Sequence, residues 1–114
     1  MNDAITPPEA AYHLLLEPQE VAVTTSALHL LISDEAHQPD IRRLAREVLA
    51  GLEAEPDEFG VVTVALTPGQ LKITHTAVHL LLDDLQREQA DEMQILHGIL
   101  DKLPDEHAIR AIRL

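Results

Sequence analysis

A chain of 114 residues, 46% of them apolar, is enough for one domain with a modest core, and Tyr12 and Phe59 are its only aromatics. A net charge of −12 opposes binding to nucleic acid or to anionic lipid, because both are polyanions. The absence of cysteine excludes disulfides, zinc ribbons and thiol catalysis.

The N-terminal MNDAITPPEAA has an early acid, no basic region and two prolines, so it does not read as a signal peptide. No apolar run approaches the roughly 18–20 residues needed to span a bilayer, and a soluble cytoplasmic protein with no membrane contact is expected. Residues 10–16, AAYHLLL, fit a short strand with Tyr12, Leu14 and Leu16 on one face and His13 and Leu15 on the other. Pro18 suits a first helical position, and the spacing predicts a helix over about 18–36. The next helix, about 40–53, buries Ile41, Leu44, Ala45, Val48, Leu49 and Leu52. Its first half carries Arg42, Arg43 and Arg46, the unfavourable end for cations on a helix dipole.

A polar connector, Glu53 to Glu58, leads to a second strand from Phe59 to Leu66, with Val62, Val64 and Leu66 facing inward. Thr67, Pro68 and Gln70 make a helix start with a capping box. A helix to about Glu88 and another over about 91–103 follow. Pro104 to Leu114 echoes the run from Pro56 to Leu66, which predicts a third strand over 107–114. The i, i+3 spacing of Ile109 and Ile112 leaves a short helix as the rival.

The two halves align at a constant offset that places Leu16 on Leu66 and Asp34 on Asp84. Between those ends Pro18/Pro68, Thr24/Thr74, Ala27/Ala77, His29/His79, Leu30/Leu80 and Leu31/Leu81 are identical. Such self-similarity predicts an internal duplication, with repeats over about 10–55 and 60–103 and the C-terminal strand appended. The expected fold is α+β: β-αα-β-αα-β, with a small antiparallel sheet and two helical hairpins on one of its faces. Leu30, Leu31, Leu80 and Leu81 are expected to be largely buried, and His29 and His79 to lie at equivalent places about a local twofold.

His75 and His79 stand four apart on one helix, with Asp83 a turn further on, which is half of a metal site. His29, at the equivalent place in the first half, and His97 are the candidate further ligands. The competing reading is a set of solvated or hydrogen-bonded helix-surface histidines, since HxxxH without the HExxH glutamate is a weak signal. All seven histidines protonated would bring the charge from −12 to −5, so a pH-responsive role belongs with this alternative. Ser26 and Ser33, the only serines, lie on no strand-to-helix elbow, and Thr24 and Thr74 suit bonds to the preceding helical turn. The TPGQ helix start lacks a phosphate-loop pattern. The arginine trio suits local pairing with Asp34, Glu35 and Glu47 better than an anion site.

Nothing here supplies a catalytic set or a cofactor motif. The expected function is that of a non-enzymatic interaction or regulatory module, a homodimer through its sheet with scope for a further protein partner. A regulator that binds metal or senses pH through His75, His79, Asp83 and His29 is the alternative. The sheet argument rests on an outer face carrying Leu15, Val61, Ala65, Ile109 and Ala111, too apolar to stay in water, and on open strand edges.

Overall fold

A computed structural model describes residues 12–33, 39–85 and 89–112. Its order is β1 (Tyr12–Leu16), α1 (Pro18–Ser33), α2 (Pro39–Leu52), β2 (Val62–Leu66), α3 (Pro68–Asp84), α4 (Ala90–Lys102) and α5 (Glu106–Arg110). The fold is mixed α+β, with five helices and a two-stranded antiparallel sheet among the described residues.

The alternation of each strand decides which face meets the helices. Leu14, Leu16, Val62, Val64 and Leu66 are buried, whereas His13, Leu15, Thr63 and Ala65 between them are exposed. All the helices therefore lie on one side of the sheet. The register pairs Tyr12 with Leu66, Leu14 with Val64 and Leu16 with Val62. β1 and β2 have equal length, and the offset that takes Leu16 to Leu66 also takes Pro18, the first residue of α1, to Pro68, the first of α3. Leu14 and Val64, which face each other at the centre of the ladder, are related by that same offset.

Beneath the sheet α1 packs along α3. Thr24, Ala27, Thr74 and Ala77 are all fully buried, and small side chains of this kind let two helices approach closely. The outer helices are exchanged between halves: α2 also packs on α3 and β2, and α4 on α1 and β1. Gly51 makes one of these contacts possible, since a Cβ there would stand 3.1 Å from Val64 Cγ1. The start of α3 is as predicted: Thr67 Oγ1 accepts from the Gln70 N–H at 3.2 Å, and Gln70 Oε1 accepts from the Thr67 N–H at 3.1 Å. In α1 the matching place is taken by Glu20, whose carboxylate accepts from the Glu17 N–H at 2.9 Å.

Three expectations need correction. The third strand over 107–114 is absent as far as the chain is described, and α5 takes its place. Asp105 caps that helix by accepting from the Ala108 N–H, and Ile109 is buried at 3% exposure, so a helical period wins over the strand echo. Part of the β1 edge is also occupied, because Lys102 Nζ donates to the Leu15 carbonyl at 3.1 Å. Second, α3 ends at Asp84, short of Glu88, with Leu85 already extended. Third, β2 begins at Val62 because Asp57 organises the residues before it. Its Oδ1 accepts from the Phe59 and Val61 N–H groups at 2.8 and 2.9 Å, and Gly60 takes a φ of 80° that favours glycine. The burial of the leucine pairs is graded: Leu31 is fully buried, whereas Leu30, Leu80 and Leu81 keep some exposure.

Candidate functional site

The residual exposure of those leucines marks a surface feature. α1 and α3 converge at their C-terminal ends, where Leu30, Ile32 and Leu81, with Ser26, His29, Ser33 and Asp84, line an open groove of about 610 Å³. Leu30, Ser33, Leu80, Asp83 and Asp84 line an adjoining depression of about 300 Å³. The floor is aliphatic because the apolar stripe of each helix continues past the point where the sheet covers it. The rim is acidic, and neither helix carries a basic residue in its last turn. The C-terminal ends of both helix dipoles add to the negative potential there.

The sequence-predicted metal set is only partly brought together. His75 and His79 face each other on α3 with ring centroids 4.5 Å apart, and Asp83 follows on the exposed side. His29 lies on the neighbouring helix, in the groove that it shares with Asp84. His97 is exposed on α4. Among the described residues no group of three or more histidine, aspartate or glutamate side chains stands close enough to hold a metal. The serine hydroxyls are used locally: Ser26 donates to the Ala22 carbonyl and Ser33 to the Leu30 carbonyl. Thr74 bonds the Gln70 carbonyl as expected, but the Thr24 hydroxyl is buried without a hydrogen-bond partner. Arg43 pairs with Asp40 at 3.8 Å and with Glu47 at 3.4 Å. The proposed partners Asp34 and Glu35 lie outside the described residues.

Sequence reading missed one polar cluster. Glu20, at 6% exposure, holds Lys102 through an Oε1–Nζ contact of 2.5 Å. The Lys102 carbonyl in turn accepts from the Tyr12 hydroxyl. The three residues tie the end of α4 to β1 and to the first turn of α1. Glu20 three residues after Glu17 was a visible capping signal, but nothing local pointed to a lysine so far along the chain.

The outer surface of the sheet is smaller than expected. Ile109 is in the core and Val61 is half-buried, which leaves Leu15 and Ala65 with His13 and Thr63. Exposed Phe59 lies in the turn that leads into β2. Two contacts reveal how the strand edges are directed. The Leu15 carbonyl points to Lys102, while the Val61 N–H donates to Asp57 Oδ1 and the Val61 carbonyl accepts from the Asp57 N–H, so both turn away from the opposite strand. In an antiparallel ladder this orientation alternates. Thr63 and Ala65 therefore direct their N–H and C=O groups to the outer edge of β2. Among the described residues none donates to these groups or accepts from them.

No helix of the described chain is long and apolar enough to cross a membrane. No protein-family model matches the chain, and no curated protein or solved structure shows a significant likeness to it.

Proposed function

We propose that the chain is a non-enzymatic cytoplasmic interaction module, built from a duplicated β-α-α unit, that pairs with a second copy of itself through the outer edge of β2. The duplication is supported by the constant offset between β1–α1 and β2–α3 and by a ladder centred on the equivalent residues Leu14 and Val64. The observation that carries the pairing is the row of backbone groups at Thr63 and Ala65, which have no partner among the described residues. Exposed strand edges of this kind are templates for another strand. β1 is the less suitable edge, because Lys102 occupies the Leu15 carbonyl. Two copies of β2 running antiparallel would form a continuous four-stranded sheet.

So short an edge buries little area, which places the association at the weak end of specific interfaces, with a Kd on the order of 10 µM. Light scattering or sedimentation over a concentration series should show a monomer–dimer equilibrium. Thr63→Pro removes an outward N–H and leaves the ladder to β1 intact, since proline is tolerated where the amide faces away from the sheet. The variant should keep its circular dichroism spectrum and lose the dimer. An unmodified chain that stays monomeric well above that concentration would refute the reading, as would a Thr63→Pro variant that dimerises unchanged. Ala65→Pro provides the same test if Thr63→Pro fails to fold.

A further inference from the structure

The groove where the C-terminal ends of α1 and α3 converge is lined by no residue of β2, so it is a surface distinct from that pairing edge. Its floor is formed by Leu30, Ile32, Leu80 and Leu81, all half-buried, and its rim by the exposed Asp83 and Asp84. The groove is shallow and open, which suits a few anchoring side chains of a protein segment better than an enclosed small molecule. Among the described residues the charged groups that line it are carboxylates, with the His29 imidazole on one side. Two helix C-termini and two carboxylates contribute negative charge, and neither helix brings a basic residue to its last turn.

The sign of the charge decides among occupants. A second copy placed groove to groove would bring Asp83 and Asp84 against their own images, and like-charge juxtaposition costs several kcal/mol. Nucleic acid and anionic lipid are repelled for the same reason. A neutral apolar ligand would leave the acidic rim without a counterpart. We infer that this groove docks a basic amphipathic segment of another protein, a short helix that lays two or three aliphatic anchors on the leucine floor and sets lysine or arginine against Asp83 and Asp84. This is the helix-in-groove mode, in which anchors recur at i, i+3 or i+4 and i+7.

The probe is a short labelled synthetic peptide of leucine and lysine at helical spacing, titrated into the full chain and followed by fluorescence anisotropy. Two analogues accompany it: one with serine for leucine at unchanged charge, the other with glutamate for lysine. One-to-one binding of the parent peptide is expected. The serine analogue should bind at least about tenfold more weakly, as loss of buried aliphatic anchors requires, and the glutamate analogue should not bind. Asp83→Asn with Asp84→Asn should weaken the parent peptide about tenfold through loss of the complementary charge. Glu53→Gln with Glu55→Gln, also exposed but following α2 where Gly51 stands against Val64 of the sheet, should change it by less than about twofold if the effect is local, because exposed charges farther away are screened.

Equal weakening by the two variant pairs would mean that the peptide senses only the net charge, and would overturn the assignment. Equal binding of the serine analogue would do the same by removing the leucine floor from the argument. No binding of the parent peptide at all would also overturn it. Self-association of the unmodified chain that disappears in Asp83→Asn/Asp84→Asn would give the groove to basic residues of a second copy and refute a foreign occupant. Thr63→Pro should bind the peptide unchanged, so a failure of sheet pairing and a failure of the groove are read separately.

Discussion

Replacing Lys102 by methionine tests how α4 is held to the rest of the domain. The ammonium reaches Glu20 Oε1 at 2.5 Å and the Leu15 carbonyl at 3.1 Å. The Glu20 side chain is 8% exposed and that of Lys102 37%, so the pair is buried on the acidic side and wet on the basic side. Removing one member of a fully buried pair costs about 3–5 kcal/mol, whereas exposed pairs are worth about 0–1 kcal/mol. With water at the ammonium end, the intermediate value of about 1.5–3 kcal/mol is expected for Lys102→Met. Glu20→Gln keeps an oxygen for the Glu17 N–H and should cost only about 1 kcal/mol. Because Lys102→Met also loses the bond to Leu15, only the double-mutant cycle isolates the ion pair, and a coupling of about 1–2 kcal/mol is expected. Urea unfolding of the four proteins measures it, with a thermal shift of about 4 °C per kcal/mol for a domain of this size as the companion readout. A Lys102→Met loss below about 0.5 kcal/mol, or a coupling near zero, would mean that Glu20 is solvated and that α4 is held by its apolar face alone.

The leucine pairs give a graded test. Leu31→Ala should cost about 2–5 kcal/mol and Leu30→Ala clearly less, because Leu31 is fully buried and Leu30 lines the open groove; equal losses in urea unfolding would contradict the burial pattern. Thr24→Val should be neutral or stabilising by up to about 1 kcal/mol, since it removes a buried hydroxyl without a partner, while Thr74→Val should destabilise by breaking the bond to Gln70; the two melting temperatures decide it. Zinc titration of untagged protein should give no tight stoichiometric binding, because His75 and His79 supply half of a four-ligand site; one-to-one binding lost in His79→Ala would reverse that conclusion.

What the sequence discloses here is set by the range of the signal. The first two strands and the helix starts are legible because they depend on period and on residues within one turn, as in Thr67–Pro68–Gln70. The fate of residues 107–112 is not, since an echo of the second strand cannot report whether a sheet edge is free. Lys102 takes part of one edge from the far end of α4, and Asp105 supplies a local cap that favours the helix. The partial exposure of Leu30, Leu80 and Leu81 was hidden for a similar reason. Periodicity marks which stripe is apolar, not how far along the helix the neighbouring elements cover it. Asp57 looked like part of a polar connector, and its role as acceptor for two backbone amides appears only once the chain turns back at Gly60.

The exchange of outer helices bears on whether either half could stand alone. Glu20 and Gln70 hold equivalent places in the first turns of α1 and α3. Each reaches across to the outer helix of the other half, Glu20 to Lys102 of α4 and Gln70 to Glu47 of α2, at 2.5 and 3.1 Å. β1 and β2 likewise pair only with each other among the described residues. An isolated half would keep one unpaired strand and expose the face of α1 or α3 that carries Thr24, Ala27 and Leu31 or Thr74, Ala77 and Val78. Below about 70 residues, with no cysteine to staple it, such a fragment has too little core to offset its chain entropy. Fragments 1–58 and 59–114 should therefore each be unfolded as monomers by circular dichroism, and should recover helix and cooperative melting when mixed. A fragment that folds only as a twofold dimer, its partner replacing the missing half, would support the proposed duplication. A half that melts cooperatively while sedimenting as a monomer would show that the exchanged contacts are dispensable, and the interleaved core would be the wrong account of this domain.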